Sequence, residues 1–553
     1  MKNLFKYIGI AIPFLGLTAC GDDFLERIPE GQYVEDTYYM SDDALDAATE
    51  PLYNRAWFDY NKRPAVAVGS LMANDAYNPW MSPEFTTFQV TALHANLSDT
   101  WKAFYSVITM ANSVITAVET KCGPDVTEDA KTRTISEARL MRAVAYFYMV
   151  RLWGNVILFE NNQDIVNNPV RPLNKATDAF RFIINDLTYA AEHLPEIPVT
   201  GKASSWAAKA MLAKVYLCRS GWEKNDNPRD AADLEKAKEY ALDVCRNSGI
   251  ELLENYADLF KYSGNNNRES LLAMQWVENG EWGVCNTLLA DIAFSPDVTG
   301  GVNVWGGGLS ASVDILKLYE VADTIRRDAT FFTEGAYYNY ICTNEGGYRY
   351  EGTSAPVKKG VIGGSEDNGG IYIASMNCPI NTYILRLADT YLTLAEACLG
   401  NDEVLTGGVG LEYFNKVRAR AKVSERSRIT LDDIIKERRI EFAMEYCNWY
   451  DMVSWYSWKP TKMLAYFNNQ HRGWRASNIK AVDNRALHFY VENDLSSEET
   501  EWGDIEPSFA INVTADNIFL PYPESDVIQN PLLNEPPVDY DFGDEEEVEG
   551  EEE

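Results

Sequence analysis

Three stretches of the chain repeat one spacing. Met141, Ala145, Tyr148 and Leu152 are separated by steps of 4, 3 and 4, as are Trp206, Ala210, Ala213 and Leu217, and again Leu387, Tyr391, Leu394 and Cys398. Such steps return each set to one side of a helix, so each stretch is predicted to be an amphipathic helix with a single apolar stripe. A stripe must be covered by another element, and helical candidates follow at 177–193, 231–247 and 410–421. Alternating helices, with Ala at close approaches and an aromatic nearby, predict a mainly α fold of degenerate tetratricopeptide-like repeats. The strict repeat consensus is not met, and an ordinary helical bundle would carry the same stripes. On this spacing Trp153, Trp206 and Trp455 belong to the core.

Composition narrows the function classes. With 553 residues, 46% hydrophobic and 24% charged, the chain can bury a large core, and global disorder is excluded. Its 83 acidic against 49 basic residues give a formal charge of -34, which repels polyanions and leaves no basic footprint for nucleic acid. The 14 Trp and 32 Tyr exceed what such a core needs and leave rings for exposed stacking surfaces. No C-x-x-C occurs and only four His are present, so neither a zinc site nor a cofactor is predicted. Arg418, Arg420, Arg426, Arg428, Arg438 and Arg439 interleave with Glu425, Asp432, Asp433, Glu437 and Glu441 at helical spacing and are expected to pack as salt bridges.

Between the helical blocks the chemistry changes. Residues 342–370 contain eight Gly, and 263–268 and 299–308 are similarly rich in turn formers, so long irregular loops are expected there. Aromatics in such loops are candidates for ligand contact. Trp80 follows Asn74, Asp75 and Pro79; Trp282 lies among Glu278, Asn279, Gly280 and Gly283; Trp305 precedes Gly306 to Gly308; Tyr348 and Tyr350 flank Arg349. Sugar C–H faces stack on such rings, while hydroxyls need donors and acceptors such as Asn74, Asp75 and Arg349. These eight residues (Asn74, Asp75, Trp80, Trp282, Trp305, Tyr348, Arg349, Tyr350) form the predicted ligand set.

The N-terminus points to export. Lys2 and Lys6 precede an apolar run from Ile8 to Leu17, too short to span a bilayer but suited to a secretory signal. Leu17-Thr18-Ala19-Cys20 resembles a bacterial lipobox, which predicts cleavage after residue 19 and acylation of Cys20. Loss of residues 1–19 removes Lys2 and Lys6 and takes the formal charge from -34 to -36. Gly21-Asp22-Asp23 resembles the surface-export signal of some Bacteroidetes lipoproteins. At the other end, eight of the last ten residues are acidic, a solvated tail by composition.

Six blocks in order carry a more specific resemblance: Cys20 to Glu26; Glu137 to Phe159, with Arg142, Tyr146 and Trp153-Gly154; Ile384 to Leu399; Tyr413 to Ala421; Ile434 to Trp455, with Glu437-Arg438-Arg439 and Trp449-Tyr450-Asp451; and Phe519 to Pro523. Together they resemble the SusD/RagB family of starch-utilisation outer-membrane lipoproteins over nearly the whole chain. Tyr446-Cys447-Asn448 and the acidic tail depart from the family pattern. The resemblance implies about four tetratricopeptide-like helix pairs with a loop-rich inserted lobe, no catalysis, and delivery of glycan, or in some members peptide, to a SusC-like TonB-dependent transporter at the cell surface. The helical repeats would face the transporter and the loops the ligand.

The expected division is therefore a signal peptide (1–19), one unit over 20–540, and an acidic tail (541–553). Within the unit, the scaffold covers about 41–250 and 380–456, and the ligand lobe about 251–379 plus 457–540. No G-x-S-x-G, H-E-x-x-H, Walker A or G-x-G-x-x-G is present to suggest an enzyme. Loop aromatics favour glycan over peptide as ligand. A pure repeat scaffold for protein partners remains the other reading of the residues.

Overall fold

A computed structural model describes residues 38–481, 487–493, 498–501 and 511–543. The predicted signal peptide, Cys20 and the acidic run from 544 onward lie outside the described residues.

Seven helices pack in chain order, each against the next, and an eighth packs back on the sixth. They are α1 (Ala95–Lys121), α2 (Glu128–Trp153), α3 (Ala176–His193), α4 (Ser205–Gly221), α5 (Ala231–Asn247), α6 (Leu387–Leu399), α7 (Gly408–Arg420) and α8 (Leu431–Phe442). The three predicted stripes fall on α2, α4 and α6, and every stripe residue but the half-buried Cys398 is buried. The predicted partners are α3, α5 and α7. Local chemistry sets the ends. Thr127 Oγ1 caps α2 by accepting from the Ala130 amide at 3.2 Å, with Glu128 and Asp129 in the first turn, and Gly154 ends the helix at φ 73°. A reciprocal Thr430–Asp433 capping box opens α8.

The first three helices are keyed by one buried arginine. Arg142 of α2 grips Asp186 of α3 through Nε and Nη2, both at 2.8 Å, and donates through Nη1 to Asn112 Oδ1 of α1 at 2.7 Å. The C-terminal Phe519-Leu520-Pro521-Tyr522 segment straps the end of α2. Leu520 N donates to Leu152 O at 2.8 Å, and Trp153 Nε1 donates to Pro521 O at 3.0 Å.

The lobe, residues 248–386, is inserted between α5 and α6. Strands β1 (Ser270–Met274) and β2 (Thr382–Arg386) pair antiparallel at its neck, and β2 runs straight into α6. Inside the lobe, helices are short, and 342–370 forms the irregular path its glycines predict, bounded by a two-residue hairpin pairing of Tyr337–Tyr338 with Tyr348–Arg349. Helix α9 (Asn448–Trp458) follows α8 and packs against α2 and α4. Three further strands, β3 (Trp474–Ala481), β4 (Leu487–Asn493) and β5 (Glu498–Glu501), form an antiparallel meander.

Lobe and scaffold meet across a buried ionic seam. Arg386 reaches Glu269 Oε1 at 2.9 Å, Glu441 Oε1 at 2.6 Å and Glu445 Oε2 at 2.9 Å. From the lobe, Arg326 pairs with Asp323, with Glu437 Oε1 at 2.6 Å and with Glu441 Oε2 at 3.3 Å. Arg420 joins Glu269 to Glu441, Arg418 joins Glu437 to Glu320, and Lys359 sits on Glu445 at 2.9 Å. Burial alone would raise the Glu441 carboxyl, but Arg420, Arg386 and Arg326 outweigh it and hold it well below the usual range. Of the arginines expected to form salt-bridged packing, those at 418, 420, 426, 438 and 439 do so, but with acids on other elements rather than with neighbours at helical spacing.

Candidate ligand platform

Three large rings stand out in the water. Trp80, Trp282 and Trp305 are 87%, 61% and 42% exposed, although a tryptophan is ordinarily among the most buried residues. One continuous path of contacts joins them.

Trp80 sits at the tip of a corner whose base is fixed. Ala76–Tyr77 pairs antiparallel with Ser310–Ala311, Tyr77 opposite Ser310, which ties the Trp80 corner to the loop carrying Trp305. Pro79 and an Asx turn, in which Asn78 Oδ1 accepts from the Trp80 amide at 2.8 Å, then turn the ring outward. On the other loop, a side chain at Gly308 would meet Asn78 Oδ1 at 2.9 Å and one at Gly306 would meet Asp291 O at 2.6 Å, so bare backbone is required where this loop meets the Trp80 corner and where it meets the backbone of residues 291–293.

Trp305 is anchored from beneath. Its amide donates to Ala290 O at 2.9 Å and its indole Nε1 to Asp291 Oδ1 at 2.6 Å. Arg63 Nε donates to the same Oδ1 at 2.9 Å, leaving a half-exposed guanidinium beside the ring. The preceding residue, Lys62, turns to the third ring: its Nζ lies 4.9 Å from the Trp282 centroid and 3.9 Å from that of Phe58. Phe58 meets Trp282 edge-on at 4.9 Å. Residues 58–63 therefore bridge the Trp282 and Trp305 loops, and Asn61 Nδ2 adds a hydrogen bond to Asn286 Oδ1 at 3.1 Å.

Four of the other predicted ligand residues do different work. Asn74 and Asp75 are fully buried, not offered to a ligand. Asp75 accepts from Asn448 Nδ2 at 3.0 and 3.1 Å and lies 3.4 Å from Arg439 Nη2, while Asn74 Nδ2 donates to Asp314 Oδ2 at 2.8 Å. Burial pushes the Asp75 carboxyl up, and Arg439 and Asn448 only partly offset it. Turn-forming polar residues build this corner from inside, which is why the same composition that marks a loop is here part of the core. Tyr350 is also buried, packed on Phe294 and Phe332 with its hydroxyl 2.9 Å from Ser354 Oγ. Tyr348 is half-buried against Phe332, and burial together with Tyr350 pushes its hydroxyl up to about 12. Of that trio Arg349 is exposed, donating to Gly335 O at 2.9 Å with its guanidinium 5.5 Å from the Tyr337 ring.

Sequence reasoning passed over Lys62, Arg63 and Asp291, which lie between the rings. Arg63 and Asp291 are 228 residues apart in sequence, and no local motif announces either. Among the described residues no group of three or more His, Cys, Asp or Glu is arranged to hold a metal ion.

Comparison with known proteins agrees with this architecture. Residues 310–538 match the SusD family, and residues 23–217 match a SusD-like family described as starch-binding and associating with the outer membrane. A SusD-like protein of Bacteroides ovatus is 61% identical over 539 residues, 97% of this chain and 98% of that protein. A crystal structure with xylogluco-oligosaccharide, also 61% identical, superposes with a TM-score of 0.85 over 91% of this chain and 100% of that one. A laminarin-binding SusD-like protein, 21% identical, shares the fold with a TM-score of 0.64 over 89% of this chain and 98% of that one. With its eight stacked helices, its inserted lobe and a full-length match of this closeness, the chain belongs to the SusD family.

Proposed function

We propose that the chain is a non-enzymatic binding protein for a neutral β-glucan of the xyloglucan class, held across Trp80, Trp305 and Trp282. The observation that carries this reading is the exposure of three tryptophans joined by one path of contacts. Pyranose rings present apolar C–H faces that lie flat on indoles, and successive sugars of one chain can occupy successive rings. Arg63 and Lys62 lie between the rings as donors for hydroxyls. The formal charge of -34 disfavours a uronate or sulfated chain. The 61% identical structure with xylogluco-oligosaccharide supports the xyloglucan class.

The remainder follows from the N-terminal motif and the family. Acylation at Cys20 tethers the protein to the outer membrane at the cell surface, and bound glycan passes to a SusC-like TonB-dependent transporter. Neither step asks for a catalytic residue or a cofactor.

Calorimetry with xyloglucan polysaccharide, a sulfated glycan and a peptide mixture tests the reading. Wild type binds xyloglucan only. Each of Trp80→Ala, Trp282→Ala and Trp305→Ala is expected to lose about 1–3 kcal/mol, by analogy with base–aromatic stacking. The triple variant shows no measurable binding while its thermal midpoint stays with wild type. Wild-type-like binding by the triple variant would place the ligand elsewhere.

A further inference from the structure

We propose that Asp291 is the positioning residue of the platform, setting the Trp305 ring and the Arg63 guanidinium as one unit through a single carboxylate oxygen. The proposal rests on the glycan reading above and adds to it the group that orders the surface before ligand arrives.

The geometry is specific to one atom. Asp291 Oδ1 receives the Trp305 indole N–H at 2.6 Å and Arg63 Nε at 2.9 Å. Both are charge-assisted hydrogen bonds, roughly twice as strong as neutral ones. Asp291 is itself buried, on the short Leu288–Ile292 helix whose Leu288, Leu289 and Ile292 are sunk in the core, so the carboxylate has a fixed base. The groups it holds are the reverse: Trp305 is 42% exposed and Arg63 half-exposed, each with the rotamer freedom of a surface side chain. A ring that must be ordered on binding gives up part of its stacking energy to conformational entropy, and one ordered beforehand does not. Trp305 also lies between the other two rings on the contact path, so its tilt decides whether one polymer meets all three. Arg63 is drawn to the same oxygen, which leaves its outer N–H groups beside the face on which a sugar would lie. Loss of the carboxylate thus frees the ring and lets the cation drift together.

A double-mutant cycle on the full chain, read by calorimetry with xyloglucan polysaccharide, tests this. Asp291→Ala is expected to weaken binding by about tenfold, and by no more than about threefold in a Trp305→Phe background, where the ring remains but the N–H is gone. Asp291→Asn keeps an acceptor of the same shape and is expected to restore most of the affinity. A local packing role would give the same fold-loss in both backgrounds, with no rescue by Asn, and that result overturns the proposal. So does wild-type affinity in Asp291→Ala, or failure of both Asp291 variants to fold. If wild type binds xyloglucan and the triple tryptophan variant does not, such a result removes only the role of Asp291. If wild type does not bind xyloglucan at all, the glycan reading falls first and this inference with it.

Discussion

The tryptophan face and the ionic seam break opposite rules of burial. At the face, Trp80, Trp282 and Trp305 stand in water, where each 100 Å² of apolar surface forgoes about 2.5 kcal/mol of burial. At the seam, Arg326, Arg386, Glu269 and Glu441 are all but sealed from solvent, where each ion costs several kcal/mol before its partners are counted. The manner of support differs as well. Glu441 accepts from three arginines, Arg326, Arg386 and Arg420, whereas Trp305 is held by its backbone and one carboxylate oxygen. Removing a ring therefore leaves its neighbours intact, while removing a charge strands its partners. The face is separable from the fold, and the seam that fixes the lobe carrying Trp282 and Trp305 is not.

The sharpest way to break that contrast is Glu441→Ala. It leaves three buried guanidiniums short of a carboxylate and is expected to destabilise by about 3–5 kcal/mol. Urea unfolding measures it, and a loss below about 1 kcal/mol would show that the seam tolerates stranded charge as the face tolerates a missing ring.

Acid gives a smaller, graded version of the same experiment. Against the outward pull of burial, Arg420, Arg386 and Arg326 hold the Glu441 carboxyl far below its ordinary 4.5. A carboxylate whose folded pKa is depressed adds stability that is full above the unfolded value and is lost as pH falls through the folded one. Asp323 and Asp75 move the other way, raised chiefly by burial, so the wild-type curve alone mixes signs. The difference between wild type and Glu441→Gln isolates one group. That difference is expected to be constant from pH 7 to about 5 and to shrink steadily below about 4.5. Urea unfolding across that window checks it, and a difference that stays flat or grows into acid contradicts the assignment.

What could be read from the sequence follows the same division. Stripes on α2, α4 and α6 were legible because their buried positions are apolar and regularly spaced. Helix α1 was not singled out because polar residues interrupt its buried face: Thr100 and Asn112 are both buried, with Thr100 Oγ1 satisfied by Asn96 O at 2.6 Å and Asn112 Nδ2 by Phe159 O at 3.2 Å. The exposure of Trp80, Trp282 and Trp305 was legible from the Asn, Pro and Gly around them. Asn74 and Asp75 carried the same local signal but go inward, because their partners lie far along the chain: Asp314 for Asn74, 240 residues on, and Arg439 and Asn448 for Asp75, more than 360 residues on. Tyr350 was misleading for a related reason: a glycine-rich loop still needs an internal prop, and Phe294 with Phe332 supplies the socket. Asp291 and the lobe half of the seam depend wholly on long-range assembly, which no local pattern encodes.

The smallest effect sharpens the comparison most, because it separates charge from burial within one cluster. Glu320 Oε1 receives both Arg418 Nη2, from a buried side chain, at 3.0 Å and Arg426 Nη2, from a half-exposed one, at 2.6 Å. Contact geometry alone would rank Arg426 the stronger partner. Solvent screening reverses the order: a pair open to water contributes about 0–1 kcal/mol, so the loss from Arg426→Ala, at a half-exposed pair, is expected to lie near that range. Arg418→Ala also takes away the 2.7 Å partner of Oε2 on the buried Glu437 carboxylate, leaving Arg326 on Oε1 alone, and should cost several times more. Urea unfolding of the two variants side by side decides the point. Equal losses would mean that the seam's strength comes from the number of its contacts and owes nothing to the exclusion of water, and the contrast with the tryptophan face would then lose its physical basis.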